Sequence, residues 1–203
     1  ENVTQGDTQD DTQGDTQDDT QEKIIKMIDV VKITQTKAFA RQDGAILSAV
    51  WIASFASTMW SVTPGYALLS LLANILAIST PFVVAKRLKA FRDDALDGTI
   101  SFRRGLFYCA QTFFNATLLL TIVQFLWFKF LDTGVFMSYI IDNYTLMLKT
   151  YNFPANEIKT LIEAISMMKP ISWAAAFMIT DIFAAIILSP AIAALMSRKQ
   201  KKE

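Results

Sequence analysis

The sequence predicts an all-α polytopic membrane protein. It has four transmembrane helices, an extracytoplasmic helical hairpin between the third and fourth, and both termini in the cytoplasm. Three observations predict it. Four runs of about 20 residues are nearly free of charge, enough at ~1.5 Å per residue to cross a hydrocarbon core of about 30 Å. The basic residues gather in three segments that flank these runs. The stretch before the last run repeats apolar residues at helical spacing, twice, with a break at a proline.

The elements follow in chain order. Residues 1–22 hold eight acids and no base, and Gln5 to Thr20 is the octapeptide QGDTQDDT written twice. No apolar side chain is available there to offset the entropy of ordering the backbone, so a disordered acidic tail is expected. Residues 23–43 change character: Ile24, Met27, Ile28 and Val31 fall at helical spacing among Lys23, Lys26, Lys32 and Lys37. That pattern fits a basic amphipathic helix on a membrane surface, or the start of the first span. Residues 44–197 form the membrane domain. Its spans are expected at about 45–63, 66–85, 105–130 and 171–196, with the outer helical segment at 131–170. Residues 198–203 make a basic tail.

Orientation follows from the bases. Lys23, Lys26, Lys32, Lys37 and Arg41 precede the first span, and Lys86, Arg87, Lys89, Arg92, Arg103 and Arg104 lie between the second and third. Arg198, Lys199, Lys201 and Lys202 end the chain, and together these are 15 of the 19 Lys and Arg. Positive charge marks the cytoplasmic side. The net charge of zero hides this pattern, since the residues after Glu22 carry a net +8.

Lipid gives little hydrophobic force between helices, so small residues should mark the contacts. Ala45, Ala49, Ala53 and Ser57 recur on one face of span one. Ala176, Thr180 and Ala184, beside Asp181, Ala185 and Ser189, do so on span four, and Ser70, Asn74 and Ala77 on span two. These faces suit packing inside the chain or between copies. Trp127, Phe128, Phe130 and Trp173 stand where an outer aromatic belt is expected. In the outer segment, a first helix around Val135 to Leu148 stops at Asn152-Phe153-Pro154. A second starts near Ala155, burying Ile158, Leu161, Ile162, Ile165 and Met168.

Arg92-Asp93, followed by Asp97-Gly98-Thr99-Ile100-Ser101-Phe102 at the opening of a long apolar run, resembles a bacterial membrane-protein family. It is the one catalogued as domain of unknown function four-one-nine-nine. The likeness covers roughly Val30 to Lys199, including an outer insertion that ends at Lys169-Pro170. The resemblance implies four spans and an inner-membrane location, and it brings no established activity.

Few residues offer chemistry. With one Cys and no His, disulfide frameworks, Cys-based zinc sites and every imidazole mechanism are excluded. No catalytic, metal-binding or cofactor-binding set is expected, and no cofactor. Asp181 stands alone near the centre of span four, where a charge costs ~2.5–3.5 kcal/mol on insertion scales, so it should face the bundle and find a partner such as Asn74, Gln111 or Asn115. It reads either as a packing residue or as a relay or cation ligand in a transport path. On span three, Tyr108, Gln111 and Asn115 oppose Thr117, Thr121 and Gln124, which suits a helix gripped on two sides. Cys109 reads as an apolar filler, with acylation as the alternative. The basic loop Lys86, Arg87, Lys89, Arg92, Arg103, Arg104 reads as a topology determinant touching lipid headgroups, or as a docking site, with Ser101 capping span three. Membrane lipids are the expected partners, with a homo-oligomer or an envelope-complex protein beside them, and nucleic acid is not expected. The functional expectation is a non-enzymatic accessory or scaffold subunit of a cell-envelope complex. The alternative is a small oligomeric transporter or channel that uses Asp181.

Overall fold

The computed structural model describes residues 11–63 and 65–197, with side chains at 27, 29–63 and 65–197. The described residues form six α-helices and no strand: α1 (Asp11–Ser61), α2 (Leu69–Ala95), α3 (Phe102–Leu126), α4 (Val135–Thr150), α5 (Ala155–Ser166) and α6 (Pro170–Met196). A π-helical turn, Trp127–Leu131, extends α3. Four helices are long and apolar enough to cross a membrane, at Asp29–Ser61, Leu69–Ala95, Phe102–Leu131 and Pro170–Met196. The third and fourth contain their expected spans. The first starts far earlier and stops at Ser61 rather than 63, and the second starts at Leu69 rather than 66 and runs on to Ala95.

The chain divides into two compact units, Glu1–Ala38 and Phe39–Glu203. In the first, α1 takes in residues 11–22 of the acidic repeat, which composition alone leaves disordered. Extending an existing helix needs no new nucleus, and each residue gains a backbone hydrogen bond, so polar residues can follow. Residues 1–10 lie outside the described residues, as do Pro64 and the basic tail from Arg198. The basic segment 23–43 belongs to α1 as well, with Met27, Val30, Val31 and Ile33 exposed.

The second unit is the bundle. The α2–α3 connection is shorter than the expected 86–104 loop, because α2 stays helical to Ala95. Asp97 and Gly98 both take positive φ (51° and 75°), and the Gly98 N–H reaches the Arg92 carbonyl at 3.0 Å, which turns the chain sharply. Ser101 then caps α3 as expected, its hydroxyl accepting from the Arg104 N–H at 3.4 Å. At the other end, Pro170 opens α6 at a position where its missing N–H costs nothing. The outer segment breaks between Thr150 and Ala155, as the Asn-Phe-Pro sequence predicts, with Asn152 at φ 56°.

The buried faces differ from the expected ones. On α1 the inward stripe is Leu47, Trp51, Phe55 and Met59, each four residues from the last. Of the small-residue stripe only Ser57 is buried, and Ala45, Ala49 and Ala53 are exposed. Ala176, Thr180 and Ala184 of α6 are likewise exposed, as are Asn74 and Ala77 of α2. Ring interlock explains the reversal. Trp51 packs on Phe113 of α3 with centroids 6.0 Å apart, and Phe55 meets Trp127, Phe128 and Phe177 at 6.0 to 6.3 Å. Such aromatic contacts add about 0.5–1.5 kcal/mol each beyond area burial. The expected aromatic belt is largely this cluster. Phe128 is buried against Phe136, Trp173 and Phe177, and Phe130 alone of the four stays largely exposed. Phe136 of α4 is buried in the same rings and ties the hairpin to the bundle. In α5 only Ile158 is fully buried; Leu161 is exposed, and Ile162, Ile165 and Met168 are half-buried.

Candidate functional site

Among the described residues two carboxylates lie inside the bundle, and they sit in opposite surroundings. The first was not singled out by its sequence context. Asp43, just ahead of the first uncharged run, is 2% exposed. Arg87 of α2 gives it two donors, Nε and Nη2, both 2.5 Å from Oδ1. The Tyr108 hydroxyl of α3 donates to Oδ2. Tyr108 is itself held flat on Phe91, 5.1 Å between centroids and 8° between planes. Phe91 also packs on Phe39 and lies under the Arg104 guanidinium. Gly44 makes this meeting of helices possible: a Cβ there would fall 2.7 Å from the Asn115 Cβ and 2.9 Å from the Thr112 carbonyl oxygen. Asp43 therefore joins α1, α2 and α3, with every donor aimed at it already committed. Chemically it is a clamp: the carboxylate is charge-balanced and buried, and it presents no nucleophile with a base beside it.

The basic stretch is rewritten by this geometry. Arg87 serves Asp43, and Arg92 is almost fully buried, its Nε 2.7 Å from Asp93 and its Nη1 3.2 Å from the Met196 carbonyl. A cation on the last turn of α6 meets the negative end of that helix dipole. Two of the six bases expected at the headgroups thus hold the fold together. Lys86, Lys89 and Arg103 are exposed, and Arg104 is half-buried over Phe91.

The second carboxylate is the expected one. Asp181 is half-buried in α6, and its Oδ2 is buried with no hydrogen-bond partner. The partners expected for it do not reach it. Asn74 is exposed and donates to the Ser70 carbonyl at 2.7 Å, and Asn115 donates to the Gln111 carbonyl at 2.8 Å. Each amide is satisfied within its own helix, so the polar residues that share a depth in the sequence do not share a face. Asp181 instead lines a cavity of about 250 Å³ formed by all four spanning helices, with Trp51, Ser54, Ala77, Thr80 and Leu120 among its walls. Across it, the Trp51 indole N–H donates to the Thr80 hydroxyl at 2.9 Å. Of the polar faces on α3, Tyr108, Thr117 and Gln124 are buried, whereas Gln111, Asn115 and Thr121 are half-buried. Thr117 Oγ1, Gln124 Oε1 and Ser189 Oγ are buried without partners. Cys109 is fully buried. Among the described residues no three His, Cys, Asp or Glu side chains are grouped to hold a metal.

The motif residues have plain structural duties here: Arg92 and Asp93 pair, Gly98 makes the turn, Ile100 is buried and Ser101 caps the helix that Phe102 opens. The sequence model of the family described as "Protein of unknown function (DUF4199)" matches residues 42–198. The chain is a member of the DUF4199 family. No curated protein matches it, and no solved structure does. The DUF4199 match begins one residue before Asp43 and ends just past α6, so it contains both carboxylates, α1 from residue 42 onward, α2, α3 and the outer hairpin. The acidic repeat lies outside it.

Proposed function

We propose that this chain is a non-enzymatic accessory or scaffold subunit of a bacterial cell-envelope complex. It would be embedded in the inner membrane with both termini in the cytoplasm and the α4–α5 hairpin on the far side. One observation carries the reading. The small-residue faces of α1 (Ala45, Ala49, Ala53) and α6 (Ala176, Thr180, Ala184) are exposed, while the bundle closes on its large aromatic side chains. In lipid, small residues every fourth position let a second helix approach closely. The orientation is supported by the clustering of bases at the α2–α3 end and before span one. Replacing Ala49 and Ala53 by Leu should eliminate a stoichiometric cross-linked partner in native membranes, with expression and monomer fold unchanged. If the cross-link survives both substitutions at full yield, the reading fails.

The Asp181 cavity favours a second reading, a small oligomeric transporter or channel. There, Asp181→Asn should abolish flux in proteoliposomes, and flux that survives at normal expression removes the relay.

A further inference from the structure

We infer that the Asp181 cavity is a binding site for a small monovalent cation. The argument begins with which polar atoms line the cavity and where their protons already go. The Ser54 hydroxyl donates to the Ala73 carbonyl at 2.9 Å, so its proton is used and its oxygen lone pairs remain. The Trp51 N–H is used on Thr80. Pro81 sits inside α2 and has no N–H to return to the Ala77 carbonyl one turn back, and Ala77 lines the cavity. Asp181 brings a carboxylate whose Oδ2 has no partner. Acceptors therefore outnumber donors heavily, with the Thr80 hydroxyl proton the single one on these side chains not already committed.

A donor-poor cavity with a carboxylate selects a cation over an anion, and oxygen donors alone select a hard one. Charge then sets the valence. Asp181 is the only ionisable side chain in α6 and on the cavity wall. One negative charge balances a monovalent ion, while a divalent ion would leave a net charge inside the low-dielectric bundle. Room is sufficient, since about 250 Å³ exceeds the roughly 30 Å³ that one water takes in the liquid, and the ion can keep part of its hydration. Ala77 and Ala184 are exposed at the rim, which opens the cavity to the bundle surface.

This site shares its central residue with the transport reading, but binding needs no flux, and the accessory reading does not depend on it. The test uses the full chain in phosphatidylethanolamine–phosphatidylglycerol nanodiscs. Dicyclohexylcarbodiimide, which attacks buried carboxyl groups, is applied in choline chloride and in NaCl, LiCl or KCl at matched ionic strength. Adducts are located by peptide mass spectrometry. Asp181 should be modified in choline, and at least one of the three metal ions should slow that modification about tenfold at about ten times its Kd. Asp43, enclosed by Arg87 and Tyr108, should stay unmodified throughout. Ser54→Ala should still label at Asp181 but lose most of the cation protection. Equal labelling in all four salts, or no adduct at Asp181 in any of them, overturns the site. Protection without flux in proteoliposomes supports the site and removes only the transport reading.

Discussion

The Asp43–Arg87 pair should respond asymmetrically when its halves are removed. Asp43 is 2% exposed, whereas the Arg87 side chain is 35% exposed. Arg87→Met leaves a carboxylate deep in the bundle with Tyr108 as its only donor. Breaking a buried pair from that side costs about 3–5 kcal/mol. Asp43→Asn preserves the shape and still accepts from Tyr108. Its widowed guanidinium is long, partly exposed and able to swing toward water or headgroups, so the cost falls to about 1–3 kcal/mol. The double variant should then be more stable than Arg87→Met alone, because the uncompensated charge is gone, with a coupling of about 0.5–3 kcal/mol. The assay is equilibrium unfolding of all four proteins in mixed micelles, followed by tryptophan fluorescence and near-ultraviolet circular dichroism. If Asp43→Asn costs as much as Arg87→Met, or if the two losses simply add, the clamp is not charge-balanced in the way described.

Three further outcomes follow from the same packing. Gly44→Ala drives a methyl into the Asn115 Cβ and the Thr112 carbonyl, both fixed on α3, and should cost about 1–3 kcal/mol. Gly105→Ala meets only Ala193 and Leu88 at 3.6 Å or more and should be neutral or stabilising by up to about 1 kcal/mol; a thermal melt in which Gly105→Ala is the worse of the two contradicts both packing arguments. Phe136→Ala removes the ring that joins α4 to Phe128, Trp173 and Phe177, a loss of about 3–5 kcal/mol in hairpin docking. Limited proteolysis should then cut the Tyr151–Pro154 turn much faster than in the parent, while the four spans stay protected. An unchanged cutting rate would mean that α5 alone holds the hairpin.

What hydropathy encodes, the chain displayed openly: four long apolar runs, the Asn152-Phe153-Pro154 break and the Ser101 cap all stand where local chemistry places them. Which face turns inward was hidden, and for a physical reason. In lipid an exposed Ile and a buried Ile have similar surroundings, so α6, apolar on nearly every face, carries no amphipathic signal. Small residues at every fourth position then looked like the contact, yet the rings of Trp51, Phe55, Phe128 and Phe177 took it. Asp43 was hidden differently. An acid at the flank of a span is ordinary, and its importance depends on partners 44 and 65 residues away.

Asp181 was conspicuous because it interrupts an apolar run, but the run could not say what surrounds it. The comparison between the two acids does. At Asp43 three converging donors leave nothing to bind. At Asp181 the Ser54 hydroxyl and Trp51 indole protons are directed elsewhere, only the Thr80 hydroxyl proton is uncommitted, and Pro81 withholds a donor from the Ala77 carbonyl. A purely structural Asp181 would be easily served by rotating Ser54 or by an amide in place of Ala77, and the bundle has neither arrangement. An acceptor-rich pocket favours a positive species in it, be it a proton on the carboxyl group or an ion. Asp181→Asn separates these, since the amide brings its own donors to the cavity and no charge. It should preserve or raise the melting temperature while abolishing any stabilisation by added NaCl, LiCl or KCl over choline chloride. A melting point that falls by several degrees, with the salt effect intact, would show that the carboxylate is held by contacts other than those that line this cavity.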